Sequence, residues 1–182
     1  MMGYRAKRCL AAAALTMALS AGSASAQSAS ASPPACDTSA LPALPAELAG
    51  WASPSPVAAA GNARGLDRAS LAPGKAAMVS LLPTPSVHYP LQPEKPGGSV
   101  SHGGLLGFTI TEAGTYRIAL GSAAWIDVVR GGKPVTSTAH GHGPACSTIR
   151  KMVDFPLMPG RYILQVSANA GAGLPVLVTR LR

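Results

Sequence analysis

Turn-forming residues recur at short intervals along this chain, and no segment between them has the pattern of a long amphipathic helix. The 182 residues include 20 glycines and 17 prolines. Between the turns, apolar and polar residues alternate over short segments, which predicts strands with one face turned toward a core. We therefore predict an all-β fold, an antiparallel and jelly-roll-like β-sandwich of roughly seven or eight short strands.

Residues 111–130 show this pattern most clearly. A strand over residues 115–120 would place Tyr116, Ile118 and Leu120 on the core face. A second strand over residues 124–129 would turn the alternate residues Ile126 and Val128 inward. Gly131 and Gly132 then predict a hairpin-type turn, because glycine adopts positive φ without steric cost. A similar Gly-x-Tyr entry recurs near residue 160, which indicates two strands of one core.

Other segments complete the predicted sandwich. Further strands are predicted over residues 75–82, 105–110, 148–157, 161–167 and 174–181. Residues 87–98 contain three prolines, which forbid a central strand but permit an extended edge segment. Residues 133–147 predict a long exposed loop or a ragged edge strand.

The N-terminus predicts export. Residues 1–26 combine three basic residues, an apolar segment over 10–19 and an A-x-A cleavage sequence ending at Ala26, the features of a signal peptide. The apolar segment is shorter than the span of about 20 residues that a membrane helix needs, so the mature form should have no transmembrane segment. We expect a periplasmic or secreted protein, and a monomer.

A leader rich in Ala, Pro and Ser follows at residues 27–65. Its first part, to residue 34, has no apolar anchor and predicts disorder. Residues 41–51 permit a short helical turn with Trp51 as an apolar plug, and residues 53–65 predict a loop. We place the single β-sandwich domain at residues 66–182.

The charge distribution argues against nucleic acid as a partner. The signal segment holds three of the fifteen basic residues and none of the seven acids, so its removal lowers the net charge from +8 to +5. The remaining Lys and Arg residues are scattered singly, without the clusters and aromatic residues of a nucleic-acid site. An envelope protein or a polysaccharide is the partner we expect.

Two cysteines remain in the mature chain, Cys36 and Cys146. An oxidising compartment favours their pairing, and we predict one disulfide. Such a bond closes a loop of about 110 residues, which in the chain-entropy model is worth at most about 4 to 5 kcal/mol.

Two resemblances accompany these patterns. The segments FTITEAGTYRIAL and FPLMPGRYILQV, within residues 107–181, resemble the small β-sandwich modules of pre-peptidase C-terminal type in secreted bacterial proteases. That likeness implies a non-catalytic module that stabilises, targets, or binds carbohydrate and protein surfaces. The chain departs from that pattern by having no attached protease and by carrying a histidine-containing loop.

The whole chain also looks like small exported proteins named after homogentisate dioxygenase. That enzyme's iron-ligand motif is incomplete here. Cys146 stands where the ligand carboxylate should follow the pair His140 and His142, and the later ligand histidine has no counterpart.

His140 and His142 are also the best-defined candidate for a functional site, namely a metal-binding site. Imidazoles two residues apart on an extended backbone point to the same side and can hold copper, zinc or iron together. His102 and His88 could join them. Cys146 could add a thiolate, although the disulfide would remove it as a ligand. The alternative is a solvated polar loop.

Trp125 and Asp127 form a second candidate, a surface binding site. An indole beside a carboxylate can stack on a sugar, whereas the structural alternative is a packed Trp and an acid paired with Arg130 or Arg117. No cofactor is certain from the sequence, and no motif indicates nucleophilic catalysis. We expect a binding or structural module of the envelope rather than an enzyme, with a metal-dependent protein as the alternative.

Overall fold

Two β-sheets make up the body of the protein in this computed structural model, which describes Cys36 and residues 43–182. The strands in chain order are β1 (Ser55–Ala58), β2 (Ser70–Leu71), β3 (Ala76–Ser80), β4 (Leu82–Pro83), β5 (His102–Ile110), β6 (Gly114–Leu120), β7 (Trp125–Arg130), β8 (Lys133–Val135), β9 (Ala139–Gly141), β10 (Lys151–Leu157), β11 (Gly160–Asn169) and β12 (Gly173–Arg180). Three short 3-10 helices occupy Ala46–Ala52, Ala63–Gly65 and Thr84–Ser86.

The strands form two sheets of six. Sheet A has the order β1-β3-β12-β6-β10-β9, and sheet B has the order β2-β5-β11-β7-β8 with β4 beside β5. The prediction of an all-β sandwich is confirmed. The predicted strand count was wrong, because the described residues contain twelve strands. The added strands are two to four residues long, too short for alternation to mark them.

The sheets are mixed rather than purely antiparallel. β1 pairs parallel to β3, and β2 pairs parallel to β5. Both parallel strands lie at sheet edges and come from the segment between residues 53 and 72. The sequence predicts a loop over residues 53–65. That prediction was wrong for Ser55–Ala58, which form β1. Sheet A therefore includes residues that precede the predicted domain start at residue 66.

Alternating side chains from both sheets fill the core as the pattern predicts. Tyr116, Ile118 and Leu120 of β6 are buried there, as are Ile126 and Val128 of β7. Gly131 and Gly132, with φ of 56° and 76°, form the predicted turn between β7 and β8.

The outer face of sheet A is also covered. The 3-10 helix Ala46–Ala52 places Leu48 and Trp51 over Ala119 and Leu177, and Trp51 donates a hydrogen bond from Nε1 to Thr148 Oγ1 at 2.8 Å. The predicted short helical turn and the role of Trp51 as an apolar plug are confirmed.

Ile149 belongs to this outer cluster and not to the core between the sheets. It precedes β10, which begins at Lys151, so the alternation of that strand does not extend to it.

The predicted disulfide is present between Cys36 and Cys146, with Cα atoms 5.2 Å apart. Within the described residues, no helix combines the length and the apolar character needed to cross a bilayer. The predicted signal peptide at residues 1–26 and the predicted disordered leader at 27–34 lie outside the described residues.

Candidate functional site

A proline-rich segment, residues 87–98, crosses the outer face of sheet B, and we call it the strap. Its main attachment is Gln165 of β11, which is fully buried. The Leu91 N–H donates to Gln165 Oε1 at 3.0 Å, and Gln165 Nε2 donates to the Leu91 carbonyl at 3.2 Å. The Gln165 side-chain amide therefore hydrogen-bonds to both the backbone N–H and the backbone C=O of Leu91.

Two further hydrogen bonds fix the ends of the strap. The Tyr89 hydroxyl donates to the Val166 carbonyl at 2.9 Å, and Ser167 Oγ donates to the Lys95 carbonyl at 2.7 Å. A Cβ at Gly103 would lie 2.0 Å from the Tyr89 hydroxyl oxygen. Glycine at position 103 is thus what permits the strap to approach β5 so closely.

Trp125 and Asp127 lie beside the strap, on the same outward face of β7. The Trp125 indole donates from Nε1 to Asp127 Oδ1 at 3.1 Å, and Gln165 Nε2 lies 3.5 Å from Asp127 Oδ2. Partial burial raises the pKa of the Asp127 carboxyl, and the hydrogen bonds from Trp125 and Gln165 oppose that rise. The suggested partners of Asp127 were wrong.

The two arginines suggested for Asp127 have other partners. Arg117 makes a two-point ion pair with Asp154, with both N–O distances at 2.8 Å. Arg130 donates to the Tyr162 hydroxyl and the Pro159 carbonyl.

Two lysine amines lie close to the Trp125 indole ring. Lys95 Nζ, from the strap, lies 5.0 Å from the ring centroid, and Lys151 Nζ, from β10 of the opposite sheet, lies 5.3 Å from it. These are cation–π distances. Lys151 Nζ also donates to the Ala124 carbonyl at 2.8 Å. Burial lowers the pKa of Lys151, and the charge of Lys95 lowers it further.

We call this group the Trp125 cluster, comprising Trp125, Asp127, Gln165, Lys95 and Lys151. It offers an aromatic ring held by its own hydrogen bond, two cationic donors and one carboxylate. That combination can stack on a ring and bond to its polar substituents. The sequence pattern identified Trp125 and Asp127 but missed the other three residues, which lie 24 to 40 positions away from them along the chain and carried no motif.

The histidine loop has a different arrangement. His140 lies in β9, a short exposed strand at the edge of sheet A, and His142 Nδ1 is 3.3 Å from the Arg150 carbonyl oxygen. Cys146 is bonded to Cys36 and supplies no thiolate.

The other two histidines lie in different parts of the fold. His102 begins β5 in sheet B, and its Nδ1 is buried with no hydrogen-bond partner among the described residues. His88 is an exposed residue of the strap. No three His, Cys, Asp or Glu side chains within the described part of the chain come together as a metal-binding group. Metal binding by His140, His142 and His102 stays a prediction.

Two of the clefts in the described part of the chain lie outside the Trp125 cluster. One, of about 350 Å³, is on sheet B beside the exposed ion pair of Arg161 and Asp67. The other, of about 560 Å³, is a largely apolar groove beside Trp51 and the half-exposed Met78. Neither brings together the aromatic, cationic and acidic groups found at Trp125.

Comparison with known proteins assigns no family to this chain, so its class is described from its fold and its candidate site. No protein-family model matches the sequence, and no curated protein matches it significantly. The structure defines an all-β sandwich with a strapped outer face.

Proposed function

We propose that this protein is an exported, non-catalytic module of the bacterial envelope that binds polysaccharide through the Trp125 cluster. The observation that carries the proposal is the Trp125 indole, which is partly exposed and fixed by its hydrogen bond to Asp127. A ring already held in place loses little conformational freedom when a ligand stacks on it.

The chemistry of the cluster favours a polysaccharide over a protein partner. Sugar rings present weakly positive C–H groups to an aromatic face and hydroxyl groups to surrounding donors and acceptors. Asp127 offers acceptors, and Lys95 and Lys151 offer donors, around one indole. The five residues of the cluster include one aromatic side chain and four polar or charged ones, rather than the large apolar patch that often marks a protein-binding surface.

Export is supported by two independent features. The predicted signal peptide directs the chain out of the cytoplasm. The disulfide between Cys36 and Cys146 joins two exposed residues, and such bonds persist in oxidising compartments.

Binding of the exported chain to purified envelope polysaccharides tests the proposal, by affinity electrophoresis with the polysaccharide in the gel. Trp125→Ala should weaken binding about fivefold to tenfold through loss of the stacking face. Trp125→Phe, which keeps an aromatic face, should retain most of it. Unchanged binding by a folded Trp125→Ala variant would rule out this surface.

A further inference from the structure

The Trp125 cluster places two positively charged amines close to one indole ring, and the binding of a neutral sugar does not require two positive charges. Lys95 and Lys151 come from the strap and from the opposite sheet, yet both lie about 5 Å from one indole centroid. Their separation is therefore no greater than the sum of those two distances. Like charges so placed repel each other.

No carboxylate neutralises this pair directly. Among the described residues, neither amine has a carboxylate oxygen within 4.0 Å, and the three ion pairs found there involve arginines only. Asp127 and Glu94 are the acids whose charges act on the cluster. The Asp127 oxygens accept from Trp125 and Gln165, so they are turned toward other donors.

The amines also retain free donor capacity. Lys151 uses one N–H on the Ala124 carbonyl, which holds its amine in place and leaves two N–H groups for a ligand. The Lys95 side chain is exposed, while its backbone is fixed through Ser167.

We infer that Lys95 and Lys151 together bind an anionic substituent, a carboxylate or a phosphate, on a sugar that stacks against Trp125. This inference rests on the proposed polysaccharide-binding function and specifies the ligand as an acidic saccharide. An anion bound near the two amines would offset the repulsion between them and accept charge-assisted hydrogen bonds from them. The ligand would thus supply the direct anionic contact that neither amine has among the described residues.

Calorimetric titration with three probes separates the possibilities. Trigalacturonate carries carboxylates, its methyl ester presents the same rings without charge, and a phosphorylated maltotriose carries phosphate. Wild type should bind one or both charged probes more tightly than the ester, with an affinity that falls as salt is raised. Lys95→Gln should weaken that binding about twofold to fivefold.

A matched control removes the same charge elsewhere. Lys75 is an exposed lysine before β3 in sheet A, and Lys75→Gln should leave affinity unchanged. Lys151→Arg, which keeps the charge, should retain more affinity than Lys151→Gln. Thermal unfolding of each variant checks that it is folded.

The outcomes distinguish this inference from the function on which it rests. If neither charged probe binds more tightly than the methyl ester, and binding is lost in Trp125→Ala, the inference is overturned and the proposed function stands. An equal loss of affinity for the charged probes in Lys95→Gln and Lys75→Gln would show a general charge effect and would also overturn the inference. Failure of every saccharide, including envelope polysaccharides, would overturn both.

Discussion

Gln165 shows how one side chain can determine the shape of a surface. It points away from the core on β11, where a polar residue would ordinarily meet water, yet it is completely buried. Its amide replaces water on both backbone groups of Leu91, so burying it leaves no unpaired polar atom. The strap is therefore held by hydrogen bonds to Gln165 in addition to the apolar contacts of Val87 and Tyr89.

Gln165→Ala should lower the free energy of unfolding by about 2 to 4 kcal/mol, because it leaves the Leu91 N–H and C=O without partners. Urea unfolding measures the loss. Hydrogen exchange should accelerate in residues 87–98 before the rest of the domain. Gln92→Ala, at an exposed position of the same strap, is the control and should change neither quantity.

Tyr89 makes the contribution of the strap to folding stability depend on pH. Burial, with a smaller contribution from Asp127, raises the pKa of Tyr89 from 10.0 to about 12. The folded state thus favours the neutral phenol, which is the form that donates to the Val166 carbonyl. This contribution to stability is complete below pH 10 and is lost as the pH rises toward 12.

The stability difference between wild type and Tyr89→Phe should follow that pH range. Below pH 10 wild type should be more stable by about 1 kcal/mol, the net value of one hydrogen bond. Above pH 10 the difference should shrink. Chemical unfolding at several pH values measures it, and a difference that stays constant from pH 9 to pH 12 would contradict this role for the phenol.

At the scale of elements, each sheet has its outer face covered by a segment with little regular structure. The 3-10 helix Ala46–Ala52 covers sheet A with apolar side chains, whereas the strap covers sheet B with hydrogen bonds. The chain has two tryptophans, one at each cover. Trp51 is buried and Trp125 is half-buried, so the two should have different effects when removed.

Trp51→Ala should cost about 3 to 5 kcal/mol of stability, because it empties a buried site above Ala119 and Leu177. Trp125→Ala should cost far less and should instead reduce saccharide binding. Thermal unfolding and binding measured on both variants test the contrast. A larger loss of stability at Trp125 than at Trp51 would show that Trp125 is a packing residue.

The sequence predicted the 3-10 helix that covers sheet A better than the strap that covers sheet B. Pro45 precedes the first helical residue and Glu47 lies in the first turn, so the covering turn at Trp51 was predictable, although the helix continues past Gly50 to Ala52. The prolines of the strap only excluded a central strand. Its path over sheet B depends on Gln165 and Ser167, which lie more than 70 residues away along the chain.

At the scale of the whole molecule, the disulfide joins Cys36 to the loop that follows the histidines, across 110 residues of sequence. Bonds that close long loops restrict the unfolded chain strongly. Cys146 has a φ of 61°, unusual for a residue with a side chain, so the loop adopts a specific conformation at the bond.

Replacing both cysteines by alanine should lower the free energy of unfolding by about 2 to 5 kcal/mol. Urea unfolding with and without a reductant measures this loss. Reductant should destabilise wild type and leave the double variant unchanged. Thiol titration of the denatured exported chain should detect no free thiol, and two thiols per chain would contradict the bond.

The sequence alone determined the all-β class, the core-facing residues of the long strands and the cysteine pair. These follow from local periodicity and from counting, since alternation sets which side chains of a strand share a face. It did not determine the short parallel edge strands, whose pairing is through backbone groups that every residue carries. The sequence pattern singled out Trp125 and Asp127, but tertiary structure decided the rest of the Trp125 cluster. Lys95 and Lys151 meet Trp125, and Gln165 meets Asp127, only when the strap and both sheets are in place.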